Sequence, residues 1–138
     1  MPSTQRNKGL LIDSNLLLLK FLGQVDLQII PRFKRTQRFS FEDFGLLEAY
    51  SQSFEVLVTT PNILTEVSNL SNQLPYEWKL AVLENLGRQV RLLSEEHVPS
   101  TKAAKNDDFS KYGLTDTVIL LLAKEKYQVL TVDLPLYN

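Results

Sequence analysis

The chain has 138 residues, 43% of them hydrophobic, with 15 basic and 16 acidic side chains and a formal net charge of -1. That length suits one domain with a full core, and the balance of charge excludes a global basic footprint for nucleic acid, so any such contact has to come from a local patch. Cysteine is absent and His97 is the one histidine, which excludes disulfides, thiolate zinc sites and cysteine nucleophiles and makes oxygen ligands, hence magnesium or manganese, the way to build a metal site.

The segment Met1 to Lys8 is polar and lacks the apolar region of a signal peptide. The longest apolar runs, Leu16-Leu19 and Val118-Ala123, are too short to span a bilayer. A soluble, cytoplasmic protein that makes no use of a membrane is the expectation.

Gly9-Ile12 predicts a short strand buried on both faces, because its apolar character is continuous rather than alternating. Asp13 follows at once. Ser14 or Asn15 is the expected cap of a helix over Leu16-Leu22 that stops near Gly23. Strand, acid and helix start thus fall within seven residues, the arrangement that makes a ligand crevice in open α/β sheets.

Gln28-Pro31 reads as a brief extended piece. Arg32-Phe33-Lys34-Arg35-Thr36-Gln37-Arg38-Phe39 then packs four cations and two aromatics into eight residues. One reading is a phosphate-contacting loop with stacking rings, in which Arg32, Lys34, Arg35 and Arg38 touch RNA. The plainer reading, given twice the weight, is a solvated connector whose phenylalanines tuck into the core.

Ser40 is a good N-cap for a helix to about Gln52, with Phe44, Leu47 and Ala49 or Tyr50 facing inward. Glu55-Thr60 predicts the second strand, rich in β-branched residues. Thr60-Pro61 starts a helix on which Ile63, Leu64, Val67 and Leu70 form a stripe. Glu66 falls beside that stripe, so partly buried and plain surface readings weigh equally. Pro75-Gly87 is a further amphipathic helix, with Trp78, Val82, Leu83 and Leu86 toward the core, and Val90-Leu93 is strand-like. His97 sits in a polar loop with Glu95 and Glu96 and carries no nucleophile signature.

Ser100-Ser110 is a polar helix or loop. Thr115 is the natural cap of a helix to about Lys126, with Asp116 in its first turn, where the dipole favours an acid. Gln128-Val132 is the last strand and ends in Asp133, repeating the opening arrangement. Alternating strands and helices predict a three-layer α/β/α sandwich with a central parallel sheet, as a single domain over residues 1–138. Asp13 and Asp133 would then end parallel strands, with Glu66 and Asp116 near the starts of helices at the same edge. Four carboxylates in one crevice repel unless a cation offsets them. One or two magnesium ions there could activate a water and stabilise the leaving oxygen of a phosphodiester.

Together these stretches resemble the PIN-domain family. The likeness rests on Leu11-Ile12-Asp13-Ser14-Asn15, Leu64-Thr65-Glu66-Val67, Gly113-Leu114-Thr115-Asp116-Thr117-Val118-Ile119 and Leu130-Thr131-Val132-Asp133, in that order, and covers nearly the whole chain. It implies a PIN-like fold and endoribonuclease activity, with Mg2+ or Mn2+ held by Asp13, Glu66, Asp116 and Asp133. Asn15 and Thr131 match supporting polar positions of the family, and Thr115 joins them beside Asp116. As partners it implies an RNA substrate, an antitoxin protein, since many small members are toxins of toxin–antitoxin pairs, and a homodimer. Two alternatives stand beside it. A non-catalytic RNA- or protein-binding module would make the basic Arg32-Arg38 stretch matter more than the acids. An aspartate-dependent phosphatase would attack through Asp13, but it wants a second acid two residues on, where Asn15 stands.

Overall fold

Residues 9–125 and 127–132 are described by the structure, a computed structural model. Strand β1, Gly9–Ile12, is buried along its whole length and lies inside the sheet. It pairs in parallel with β2, Val56–Thr59, on one side, with Leu11 opposite Val58. On the other side it pairs in parallel with β4, Gln128–Leu130, with Ile12 opposite Leu130. The two-residue β3, Ser94–Glu95, extends the β2 side, giving the order β3-β2-β1-β4 with every pairing parallel. A strand flanked on both sides and covered on both faces has no solvated side, which is why Gly9–Ile12 shows no alternation.

Helix α1, Ser14–Val25, follows β1, and α2, Ile29–Arg32, and α3, Phe41–Gln52, precede β2. Helices α4, Pro61–Ser71, and α5, Tyr76–Val90, link β2 to β3. Helices α6, Ser100–Ala104, and α7, Phe109–Glu125, link β3 to β4. The first crossovers step outward from β1 and the last steps back past it. Right-handed crossovers therefore place α1 to α5 on one face and α6 and α7 on the other. The contacts of α1 with α4 and α5, and of α7 with β4, agree with that division. The result is the three-layer α/β/α sandwich with a central parallel sheet.

Several element boundaries differ from the sequence expectation, each for a local reason. Neither Ser14 nor Asn15 caps α1; Asp13 does, accepting from the Leu16 N–H at 3.0 Å. The helix runs through Gly23 to Val25, and Gly23 serves not as a stop but as the seat of the Phe44 ring of α3, where any Cβ would collide. Gln28-Pro31 is not extended: the Gln28 N–H donates to Asp26 Oδ1 at 2.9 Å and starts the single turn of α2. Helix α3 has the expected Ser40 cap, as a capping box with Asp43, but Ala49 and Tyr50 are exposed and Ser51 is the buried neighbour of Leu47. Val90 belongs to α5, which continues past Gly87, and the strand begins only at Ser94.

The strongest departure is inside α7. Gly113 has φ 82 and ψ -179, so the helix breaks there, two residues before the expected Thr115 cap, and resumes as 114–125. That backbone region is open essentially to glycine alone. Just beyond the break, the Thr117 hydroxyl is buried with no hydrogen-bond partner among the described residues.

Two polar ties join helices within one layer. Buried Lys20 of α1 pairs with Glu48 of α3, and Asn85 of α5 donates to the Phe21 carbonyl and to Gln24, both at 3.0 Å. Tyr127, entering β4, rests its ring against Gly9 and donates to Glu96, beyond β3, at 2.6 Å. Among the described residues, no helix is long and apolar enough to cross a membrane.

Candidate functional site

In an open parallel sheet the binding crevice lies at the carboxyl edge where strand order reverses. Here the reversal falls between β1 and β4, since the chain leaves β1 toward β2 and returns on its other side. Asp13 is the first residue beyond β1 and Thr131 the first beyond β4.

Asp13 is only 6% exposed, and every polar group it has is engaged. Its N–H donates to the Leu130 carbonyl at 3.0 Å. Its Oδ1 accepts from the Leu16 N–H at 3.0 Å, which caps α1. Its Oδ2 accepts from the Val132 N–H at 3.1 Å and from the Thr131 hydroxyl. One carboxylate therefore joins the end of β1, the start of α1 and the segment leaving β4.

Glu66 reaches the same place from α4. That helix starts where β2 ends, with the Thr60 hydroxyl accepting from the Ile63 N–H at 3.1 Å and Pro61 at its first position. Glu66 is exposed, yet it is not a free surface glutamate: the Ser14 hydroxyl donates to its Oε1 at 2.6 Å. Asp13 and Glu66 thus flank one residue, Ser14. Beside them Glu66, Asn62, Thr65 and Thr115 line a cleft of about 260 Å³ between α4 and α7. Asp116 follows Thr115 and is half-buried. The amino ends of α1 and α4, and of the 114–125 stretch of α7, all approach this edge, and helix amino ends favour anions.

The structure brings Asp13, Ser14, Glu66, Thr115 and Thr131 to one edge of the sheet. Asp133, the fourth expected acid, lies outside the described residues. No three His, Asp or Glu side chains among the described residues form a cage around a cation. The donors themselves suit a hard cation. Asp13 Oδ1 accepts one hydrogen bond and keeps a lone pair, and Glu66 Oε2 accepts none among the described residues. Magnesium typically takes only one or two carboxylates and completes its shell with water and phosphate.

The basic stretch lies next door. Asn15, Lys34, Arg35, Gln37 and Arg38 line a recess of about 480 Å³. Arg32 is not part of its wall. Phe33 is buried and Phe39 half-buried in the core, so the rings anchor the loop from within, as the plainer reading had it. The Thr36 hydroxyl fixes the loop again by donating to the Ile30 carbonyl at 2.9 Å. Thr131 also lines, with Leu16, Leu19, Leu47 and Val132, an apolar groove of about 370 Å³.

Sequence reasoning missed two of these residues. Ser14 looked like a cap and is instead the link to Glu66; its only signal is its position between a strand-end acid and a helix. Gln37 carries no charge and stood hidden among cations. His97 is exposed in its loop and takes no part in the site. No protein-family model matches the chain, and no curated protein matches its sequence.

Proposed function

We propose that the chain is a PIN-like, metal-dependent endoribonuclease that hydrolyses RNA phosphodiesters at the carboxyl edge between β1 and β4. The observation that carries the reading is the meeting of Asp13 and Glu66 on either side of Ser14, at the crevice this strand order creates. Asp13, Glu66, Asp116 and Asp133 are the residues that would hold magnesium or manganese. When bound, such an ion acidifies a water and offsets charge on the leaving oxygen.

The chain's own groups have distinct tasks in this reading. The Leu16 N–H, Thr131 hydroxyl and Val132 N–H lock Asp13 into one orientation, so a ligand oxygen is presented without a search over rotamers. Ser14 does the same for Glu66. The helix amino ends at this edge attract the phosphate. Asp13 has no acidic neighbour two residues on, because Asn15 stands there, so a proton-transfer partner for a phosphoaspartate is missing at that position.

The test is cleavage of a labelled single-stranded RNA in manganese or magnesium. Asp13→Asn and Glu66→Gln should each lower the rate by more than about 100-fold, above the typical cost of removing an outer-shell partner. Equal cleavage by wild type and both variants would sink the proposal. Binding without cleavage is the second reading, and the uncompensated basic recess favours it; it would show as RNA retention by wild type with no turnover in any divalent ion.

A further inference from the structure

The basic loop is a candidate site in its own right, and the structure narrows what it can recognise. Lys34, Arg35, Gln37 and Arg38, with Asn15 of α1, surround one concavity of about 480 Å³. None of the three cations pairs with a carboxylate among the described residues. Clustered cations left uncompensated repel one another and attract polyanions. The loop is nevertheless held in shape. Thr36 is buried and bonded to Ile30, Phe33 is buried in the core, Arg35 Nε donates to Gln73 Oε1 at 3.4 Å, and the Arg38 guanidinium lies 4.8 Å from the centre of the Phe39 ring. Arg32, in α2, is not among the residues that line this recess.

The aromatics decide the chemistry. Single-strand binders usually combine a cationic groove with rings on which bases stack. Here Phe33 is spent on the core and the Phe39 face is taken by Arg38. The recess offers point charges, a planar guanidinium fork and two amides, and no free ring. Those groups match phosphate oxygens. They offer no ring on which a base could stack.

We propose that Lys34, Arg35 and Arg38, with Asn15 and Gln37, form a subsite for the phosphodiester backbone of a single strand, which binds phosphates and ignores bases and sugar. Asn15 belongs to this recess and lies two residues from Asp13, so a strand seated in the recess continues toward the acidic edge. The direction of the strand rests on the ribonuclease reading; the subsite itself does not. Any preference for RNA over DNA then arises at the acids.

The experiment is fluorescence anisotropy with the full chain in EDTA, where no cleavage occurs, so its failure is separate from failure of the nuclease reading. The probes are labelled 12-mers of uridine RNA, thymidine DNA and an abasic phosphodiester, titrated from low to moderate salt. All three should bind within about threefold of one another, with log K falling against log salt at a slope near -2, as about three phosphate contacts on a single strand require. The triple variant Lys34→Ala/Arg35→Ala/Arg38→Ala should bind at least about tenfold more weakly with a slope near zero. Arg35→Ala should reduce the slope, whereas Arg32→Ala, with the same change in net charge, should leave it unchanged. Wild-type binding by the triple variant, equal effects of Arg32→Ala and Arg35→Ala, or an abasic strand bound more than tenfold more weakly would each overturn the proposal. So would a 12-residue polyglutamate bound as tightly as the oligonucleotides, which would mark an acidic protein as the ligand. Thermal melts of each variant at or above the wild-type midpoint exclude unfolding as the cause of a loss.

Discussion

Asp13 cannot be neutralised without structural cost, and that bears on how any activity experiment is read. Its two oxygens accept three hydrogen bonds, from Leu16, Thr131 and Val132. In Asp13→Asn the amide oxygen can keep the Leu16 cap, but the NH2 group then faces the Val132 N–H, donor against donor. Leaving a buried group unsatisfied costs about 1–3 kcal/mol. Asp13→Asn should therefore lose about that much stability in urea titration. Glu66→Gln should stay within about 0.5 kcal/mol of wild type, because Glu66 is exposed and its Oε1 can still accept from Ser14. Glu66→Gln is the cleaner probe of chemistry, and a stability loss in it equal to that of Asp13→Asn would show that the Ser14 contact is more than local. The importance of Asp13 was legible in the sequence, since an acid ending an apolar strand is a strong pattern. Its role as cap was not, because Ser14 and Asn15 compete on equal propensity and only the approach of β4 chooses among them.

At the scale of elements, β1, β2, β4 and the longer helices were foreseen, whereas the turn of α2 and strand β3 were not and α6 was left open between helix and loop; the misplacements cluster where a distant partner overrides local preference. Gly23 reads as a helix stop but is required small by Phe44. Val90-Leu93 reads as a strand by composition, yet α5 extends through Val90 and the sheet takes up only Ser94 and Glu95. The start of α7 is the sharpest case. Thr115 looked like a cap because threonine before an acid usually is one. The backbone reversal is instead at Gly113, whose φ of 82 forms the bend that sets Thr115 and Asp116 at the sheet edge. Gly113→Ala should cost about 1–3 kcal/mol by thermal or urea unfolding, although nothing lies within 4 Å of the added Cβ. A neutral outcome would mean that the break is not a feature of the folded state.

Across the whole molecule, the sheet is strapped by one side chain. Among the described residues, Tyr127 stands at the entry to edge strand β4, lies against Gly9 of β1, and reaches Glu96 just past edge strand β3. Its hydrogen bond to Glu96, then burial, then the charges of Glu96 and Glu125 push its phenol up from 10.0 to about 12. The folded state therefore holds that proton more tightly than the unfolded chain does. The strap's contribution is fully present below pH 10 and is lost as the pH rises from 10 to about 12. Wild type should show a steeper fall in melting temperature over that window than Tyr127→Phe, which has no phenol to ionise. Identical slopes would count against the strap.

The contact between Asp13 and Thr131 joins residues 118 positions apart. Contacts of such separation are late and slow events, because a long loop has to close before they form. During synthesis β1 and α1 leave the ribosome long before β4 exists, and until then Asp13 has only the Leu16 N–H to hold it. The acidic edge comes into being only once the last described strand has slid in beside the first. A growing polypeptide thus carries only a half-built crevice, and the topology itself delays its completion until translation has passed Val132.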